Sequence, residues 1–107
     1  MKKLKGTVSH RERVIEALRA DPKLARAYLL VAMDDEDPRV FLTALRNVAE
    51  ARGMARIAQA AGVRRESLYR TLSPTGNPRL STLRAVLKAT GLRLSLQTQK
   101  SMRDRAA

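Results

Sequence analysis

The feature that most constrains this chain lies at residues 54–72, with the sequence MARIAQAAGVRRESLYRTL. The order of residues predicts two short helices, Met54–Ala60 and Arg64–Leu72, joined by a tight turn at Gly62. Ala58 is small enough for close helix packing, and Gly62 can adopt the positive φ that a tight turn requires. This pattern is typical of a helix-turn-helix. Its predicted core residues are Ile57, Ala58, Gly62, Val63 and Leu68.

Polar side chains cluster near the start of the second predicted helix. A helix-turn-helix lays this helix in the DNA major groove, where arginine pairs with guanine and glutamate accepts from a cytosine amine. The predicted base-contacting residues are Arg64, Arg65, Glu66, Tyr69 and Arg70. The predicted phosphate-contacting residues are Arg52, Arg56, Ser67, Arg79 and Arg84.

Each of these assignments has a structural alternative. The motif could be an ordinary helical hairpin with a polar outer face, and each flanking arginine could be a solvated surface charge. Tyr69 could instead be a half-buried ring packed against the turn-rich segment 73–78. Thr71 stands where the motif usually has an apolar residue, and we expect Leu72 to take over that role.

The net charge of +12 is concentrated in one part of the 107 residues. Residues 38–107 hold fourteen Lys/Arg and three Asp/Glu, whereas residues 1–37 hold eight and seven. So basic a segment indicates a polyanionic partner, although a solvated basic surface is the alternative. A membrane partner is disfavoured because no long helix pairs a basic face with exposed aromatic residues.

The composition predicts an all-α fold of five to six helices, because helix-favouring Ala, Leu, Arg and Glu dominate. Ser9 and Glu12 have the spacing of a capping box, which predicts a first helix over His10–Ala20. Asp21 and Pro22 are expected to cap and begin the second helix. Its expected core-facing residues are Leu24, Tyr28, Leu29, Val31 and Ala32.

Four consecutive acids at 34–37 precede Pro38. They lack the alternating spacing and the glycine of a calcium loop, so we interpret them as a helix break and a cap, not a metal site. A third helix is expected from Pro38 to about Ala51, followed by Gly53 as a C-cap. A sixth is expected over Leu80–Thr90, burying Leu80 and its helical neighbours. The expected divisions are an N-terminal extension at 1–36 that could contact a protein partner, a core at 37–98 and a charged tail at 99–107.

Leu92, Leu94 and Leu96 alternate with polar residues. Period-two alternation predicts a short half-buried β-strand. A single strand has no partner in its own chain, so we expect pairing with the same strand of a second subunit, which would make a homodimer. The alternative is a C-terminal arm folded over the core.

Catalysis and cofactor binding are not expected. The chain has no Cys and one His, His10, near its start, and no glycine-rich phosphate loop. A signal peptide is not expected, since no apolar run follows the first lysines, and nothing approaches a membrane-spanning length. We therefore expect a cytoplasmic protein without a metal site.

Three stretches of this sequence resemble a known protein family. They are AYLLVAMDDEDPRVFLTALRNVAEARGM, IAQAAGVRRESLYRTLSPTGNPRLSTL and VLKATGLRLSL, and together they make the resemblance specific. From about Arg26 to Leu96 the chain resembles the HigA-like addiction-module antidote family, the antitoxins encoded beside RelE/ParE-type toxins. The resemblance implies a cytoplasmic dimer with a lambda-repressor-like (Xre-type) helix-turn-helix. It further implies repression of the protein's own operon at a palindromic site in double-stranded DNA and neutralisation of the partner toxin.

Two other functions stay open at this point. The chain could mask its toxin as a protein–protein module with little DNA specificity, using the acidic patch at 34–37 against a basic partner. It could also be a stand-alone transcriptional regulator without a toxin.

Overall fold

The computed structural model describes residues 9–99, which form six α-helices joined by short connections. The helices are α1 His10–Ala20, α2 Leu24–Met33, α3 Pro38–Arg52, α4 Met54–Ala61, α5 Arg65–Thr71 and α6 Leu80–Ala89. The prediction of an all-α fold is confirmed for these residues. The expected bounds of α3, α4, α5 and α6 are met to within one residue at each end.

The first helix begins at the capping box that the sequence predicts. The Ser9 hydroxyl accepts from the Glu12 amide at 3.0 Å, and the Glu12 carboxylate accepts from the Ser9 amide at 3.1 Å. Two amide groups that would otherwise lack partners at the helix start are thereby satisfied. Ile15 and Leu18 are buried, and α1 packs against α3.

The second helix begins at Leu24, later than expected. Asp21 is the C-cap of α1, and its carboxylate accepts from the Lys23 amide at 3.1 Å. Pro22 lies in the turn before the helix and not at its first position. The tight turn after α1 uses these residues, so they are not available as the start of α2.

Two residues expected to face the core from α2 do not. Ala25, Leu29 and Ala32 are buried, but Val31 is 74% exposed and Leu24 is 42% exposed. Arg26 is the only charged residue of this helix, so the spacing of polar residues could not identify its inner side.

The third helix is the centre of the N-terminal half, since both α1 and α2 pack on it. Asp37 caps it by accepting from the Arg39 amide at 2.9 Å, and Pro38 occupies the first turn. Leu45, Val48 and Ala49 are almost fully buried. The interpretation of the acids as a break and a cap is supported for Asp37.

In the C-terminal half, α4 packs on α3, α5 and α6. Val86 and Leu87 of α6 are buried, but Leu80, which we expected to be buried, is 63% exposed. Leu80 is the first residue of α6, before the helix reaches the core. The single core that spans both halves is built by Leu18, Leu29, Leu42, Leu45, Val48, Met54, Ile57, Leu68, Leu72, Val86 and Leu87.

The C-terminal strand predicted at Leu92, Leu94 and Leu96 is wrong for this structure. Residues 92–99 follow α6 without regular secondary structure, and no strand occurs within residues 9–99. Leu92 is half-buried against the core, Leu94 is 40% exposed, and Leu96 is 97% exposed. An isolated segment has no edge to pair with, and the alternation of residues alone does not supply one. The alternative of a C-terminal arm folded over the core holds for Leu92 alone, since residues 93–99 are exposed.

No helix within the described part of the chain is long and apolar enough to cross a membrane. The extension expected at 1–36 and the tail expected at 99–107 lie partly outside the described residues.

Candidate nucleic-acid interface

The turn between α4 and α5 is set by Gly62. Its φ of 72° and ψ of 28° lie in the left-handed region, where a side chain is unfavourable. The Gly62 amide donates to the Gln59 carbonyl at 3.1 Å, and the Val63 amide donates to the Ala58 carbonyl at 3.0 Å. This pair of hydrogen bonds is a Schellman motif, which ends α4 and starts the chain toward α5.

The inner face of α5 is fixed by burial. Leu68 and Leu72 are fully buried, as are Ile57 and, within 2%, Ala58 of α4. Thr71 is half-buried, so Leu72 takes the apolar role that Thr71 cannot fill. Of the predicted motif core, only Val63 and Gly62 are not buried, and Val63 packs partly against the core.

The outer face of α5 carries the predicted base-contacting residues. Arg64, Arg65, Glu66 and Arg70 are exposed. Arg64 is the residue just before α5, with an extended backbone. Between residues 51 and 103 the only acid is Glu66, so this surface is cationic.

Tyr69 is half-buried, and its side-chain hydrogen bond is to α3. Its hydroxyl donates to the Glu50 carboxylate at 3.3 Å. The guanidinium of Arg46 lies 5.4 Å from the ring centroid, and that of Arg65 lies 5.5 Å from it. Both distances suit a cation–π interaction, so Tyr69 orients the Arg65 side chain.

Glu50 connects this cluster to the first helix. One carboxylate oxygen contacts the Arg11 guanidinium, and the other accepts from Tyr69. Arg65 and Tyr69 also border a groove that α1 lines with Glu12 and Glu16. Arg65 therefore lies on the side of α5 nearer to α1.

Sequence reasoning missed Arg46 and Glu50. Both lie on α3, fifteen or more positions before Arg65 and Tyr69 in the chain. Their spacing along α3 places them one turn apart on the same face. No local motif reports a contact between helices so far apart in sequence, so the signal was not available from residues 54–72.

The predicted phosphate-contacting residues are spread over three helices and their ends. Arg56, Arg79 and Arg84 are exposed, whereas Arg52 and Ser67 are half-buried. Arg79 immediately precedes α6 with an extended backbone, next to the amide groups of the first turn. This position suits an anion, because those amides have no partner within the helix. None of the arginines expected to touch DNA has an ion pair within residues 9–99.

The segment between α5 and α6 is tightly folded at its start. The Ser73 hydroxyl donates to the Arg70 carbonyl at 2.8 Å, and the Gly76 amide donates to the Ser73 carbonyl at 2.8 Å. A Cβ at position 76 would lie 1.9 Å from the Thr71 carbonyl oxygen. Gly76 is therefore required by close backbone approach, and it fixes how the chain leaves α5.

These features define a small helical protein with an exposed cationic helix after a glycine turn. A family model described as "Probable addiction module antidote protein" matches residues 10–98. A protein of Haemophilus influenzae (strain Rd) described as uncharacterized is 40% identical over 88 residues, which cover 82% of this chain and 88% of that protein. No solved structure matches the chain. The chain belongs to the addiction-module antidote family.

Proposed function

We propose that the protein is the antitoxin of a type II toxin–antitoxin module. In this proposal it represses its own operon by sequence-specific DNA binding and neutralises a RelE/ParE-type toxin. The observation that carries the DNA-binding part is the exposed cationic outer face of α5, whose inner face is locked onto α4. Membership of an antidote family supports the toxin partner.

The contacts on α5 suggest how bases would be read. Arg65 and Arg70 would reach guanine edges, with Glu66 accepting from a cytosine amine or orienting an arginine. Because Tyr69 already orients Arg65, less side-chain entropy would be lost on binding. The flanking arginines would hold phosphates on either side of the groove.

A seven-residue helix reads few base pairs, so a second subunit would provide the rest of the site. Two copies related by a two-fold axis would place their α5 helices about 34 Å apart on one face of B-DNA. A palindromic operator has this symmetry. The absence of a C-terminal strand in residues 9–99 means that the dimer proposed here does not rest on strand pairing.

Fluorescence anisotropy tests the DNA-binding proposal. The duplex upstream of the protein's own operon is compared with a scrambled duplex of equal length, at two salt concentrations. We expect tighter binding to the native duplex that persists at the higher salt concentration. Equal binding to both duplexes with a steep loss at high salt would show that charge alone drives binding, and would contradict a sequence-specific repressor.

A further inference from the structure

An apolar groove opens where α1, α2 and α3 meet, on residues that the DNA-binding proposal does not use. Apolar side chains make up most of its lining, with Val14, Val31, Val40, Ala32 and Ala44 among them. Val31 is 74% exposed in the free chain and Val40 is 38% exposed. Such a groove can accept an apolar side chain from another protein.

The helix that borders this groove has Arg26 as its only charged residue and is otherwise almost entirely apolar. Ala25, Leu29 and Ala32 face the core, but Leu24, Leu30 and Met33 are at least two-fifths exposed along with Val31. A helix with so few polar residues is normally covered on most of its surface. Within residues 9–99, no segment of the chain covers the outer side of α2.

Three consecutive carboxylates lie at or beside the groove, and Arg11 and Arg39 also line it. Asp35 lines the groove, and Asp34 and Glu36 are exposed beside it. None of these three carboxylates has an ion pair within residues 9–99. The neighbouring cations are already engaged, since Arg39 pairs with Asp37 and Arg11 pairs with Glu50.

We infer that the groove between α1, α2 and α3 is the docking surface for the toxin, which would insert an apolar side chain and place cations on the acidic rim. The inference rests on the proposed function. The carboxylates of Asp34, Asp35 and Glu36 have no ion pair within residues 9–99, so a cationic surface on the toxin would complement them. DNA is excluded from this rim by the same charges.

A second copy of the chain fits the groove less well. In a two-fold contact centred on the groove, Asp35 of both copies would approach the axis, and the two arginines that line the groove, Arg11 and Arg39, are already paired with Glu50 and Asp37. A cationic partner avoids bringing the two Asp35 carboxylates together and covers the exposed apolar side chains of α2.

The test uses the purified product of the toxin-like reading frame adjacent in the operon, with binding measured by calorimetry. Val31→Lys places a charge on an exposed position of the groove and is expected to weaken binding at least ten-fold. Leu96→Lys makes the matched change at a residue that is 97% exposed and lies outside the groove, and it is expected to leave binding unchanged. Operator binding by both variants, measured by anisotropy, shows that each is folded.

A charge variant tests the rim separately. Replacing Asp34, Asp35 and Glu36 by Asn, Asn and Gln keeps the shape of the side chains and removes three charges. We expect weaker toxin binding with a shallower dependence on salt. Unchanged affinity in both Val31→Lys and the triple variant overturns the docking surface, while leaving the proposed function intact.

The same measurements distinguish failure of the proposed toxin partnership from failure of the docking surface. If the wild-type protein does not bind the toxin at all, the proposed toxin partnership fails, and this inference fails with it. If Val31→Lys binds toxin like wild type but converts a dimer into a monomer by light scattering, the groove holds a second copy and the inference is overturned.

Discussion

At the scale of single residues, Arg65 shows how packing can restrict a surface side chain that we propose to contact DNA. It lies over the Tyr69 ring, and Tyr69 is anchored by Glu50 of α3. An exposed arginine normally samples many rotamers, and ordering it on a partner costs free energy. Contact with a half-buried ring reduces the number of rotamers beforehand, so the position of Arg65 depends on α3 as well as on α5.

Arg65→Ala is expected to reduce the free energy of operator binding by about 1–3 kcal/mol and to relax the preference for operator over random sequence. The reason is the loss of a bidentate base contact. Anisotropy with the native and scrambled duplexes measures both effects. Arg79→Ala is the control variant. Loss of a phosphate contact should weaken binding to the native and scrambled duplexes about equally. Wild-type operator affinity in Arg65→Ala would show that the recognition helix is misplaced.

Asp37 gives a prediction about pH. Its carboxylate accepts from the Arg39 side chain and amide, and these contacts hold the pKa of Asp37 below its ordinary value of 3.8. A carboxyl group with a lowered pKa in the folded state stabilises it above the unfolded pKa. That contribution is lost as pH falls from about 3.8 through the lower folded value.

Asp37→Asn keeps a capping side chain but cannot ionise. We expect a lower melting temperature than wild type at pH 7, and a difference that shrinks as pH falls below 3.8. Circular dichroism melts between neutral and strongly acidic pH measure it. A difference that stays constant over this range would mean that the Asp37–Arg39 pair does not contribute to stability.

At the scale of elements, the C-terminal segment is anchored at a single point. Gly91 has a φ of 86°, and the Leu92 amide donates to the Leu87 carbonyl at 2.9 Å. This bond closes the end of α6 and directs the Leu92 side chain onto the core. The residues beyond it have no comparable burial up to residue 99.

Leu92→Ala is expected to lower the free energy of unfolding by about 1–3 kcal/mol, because a half-buried leucine loses contacts with the core. Leu96→Ala is expected to change it by less than about 0.5 kcal/mol, since an exposed position makes few contacts. Urea denaturation followed by circular dichroism measures both. An equal loss in the two variants would indicate that the whole segment packs as one unit, contrary to this structure.

Sequence patterns predicted the helices well where local signals were strong. The capping box at Ser9, Pro38 after the acids, and Gly62 each act within one turn of helix, so their effect can be read locally. The inner face of α2 could not be fully predicted, because Arg26 is the only charged residue that distinguishes one face of that helix from another. The prediction of a strand was wrong for a different reason. The alternation of apolar and polar residues does not reveal whether another strand is present to pair with.

The candidate site was likewise predicted only where the signal was local in the sequence. The exposure of Arg64, Arg65 and Arg70 agrees with the expected outer face of α5. The support from Arg46 and Glu50 depends on how α3 packs beside α5, which no spacing within the motif reports. The acidic rim was visible as a run of charges, but the groove beside it depends on three helices meeting.

At the scale of the whole molecule, one core joins two surfaces of opposite charge. The groove bordered by Asp34, Asp35 and Glu36 lies on α1, α2 and α3, whereas the cationic residues lie mainly on α4, α5 and α6. Helix α3 belongs to both halves, since it packs on α1 and α2 and also supplies Arg46 and Glu50 to the Tyr69 cluster. The proposed contacts with DNA and with the toxin therefore lie on separate surfaces of one small domain.

The close approach of the Thr71 and Arg70 carbonyls to Gly76 restricts which amino acids this position can accept. A side chain at position 76 would overlap the Thr71 and Arg70 carbonyls, which are backbone groups that cannot turn aside. In a library that samples every amino acid at every position, glycine at 76 should be as restricted as the fully buried leucines. Its neighbours Thr75 and Asn77 are exposed and should accept many replacements. Such a library should therefore show that position 76 accepts few substitutions, whereas its neighbours in the surface loop accept many.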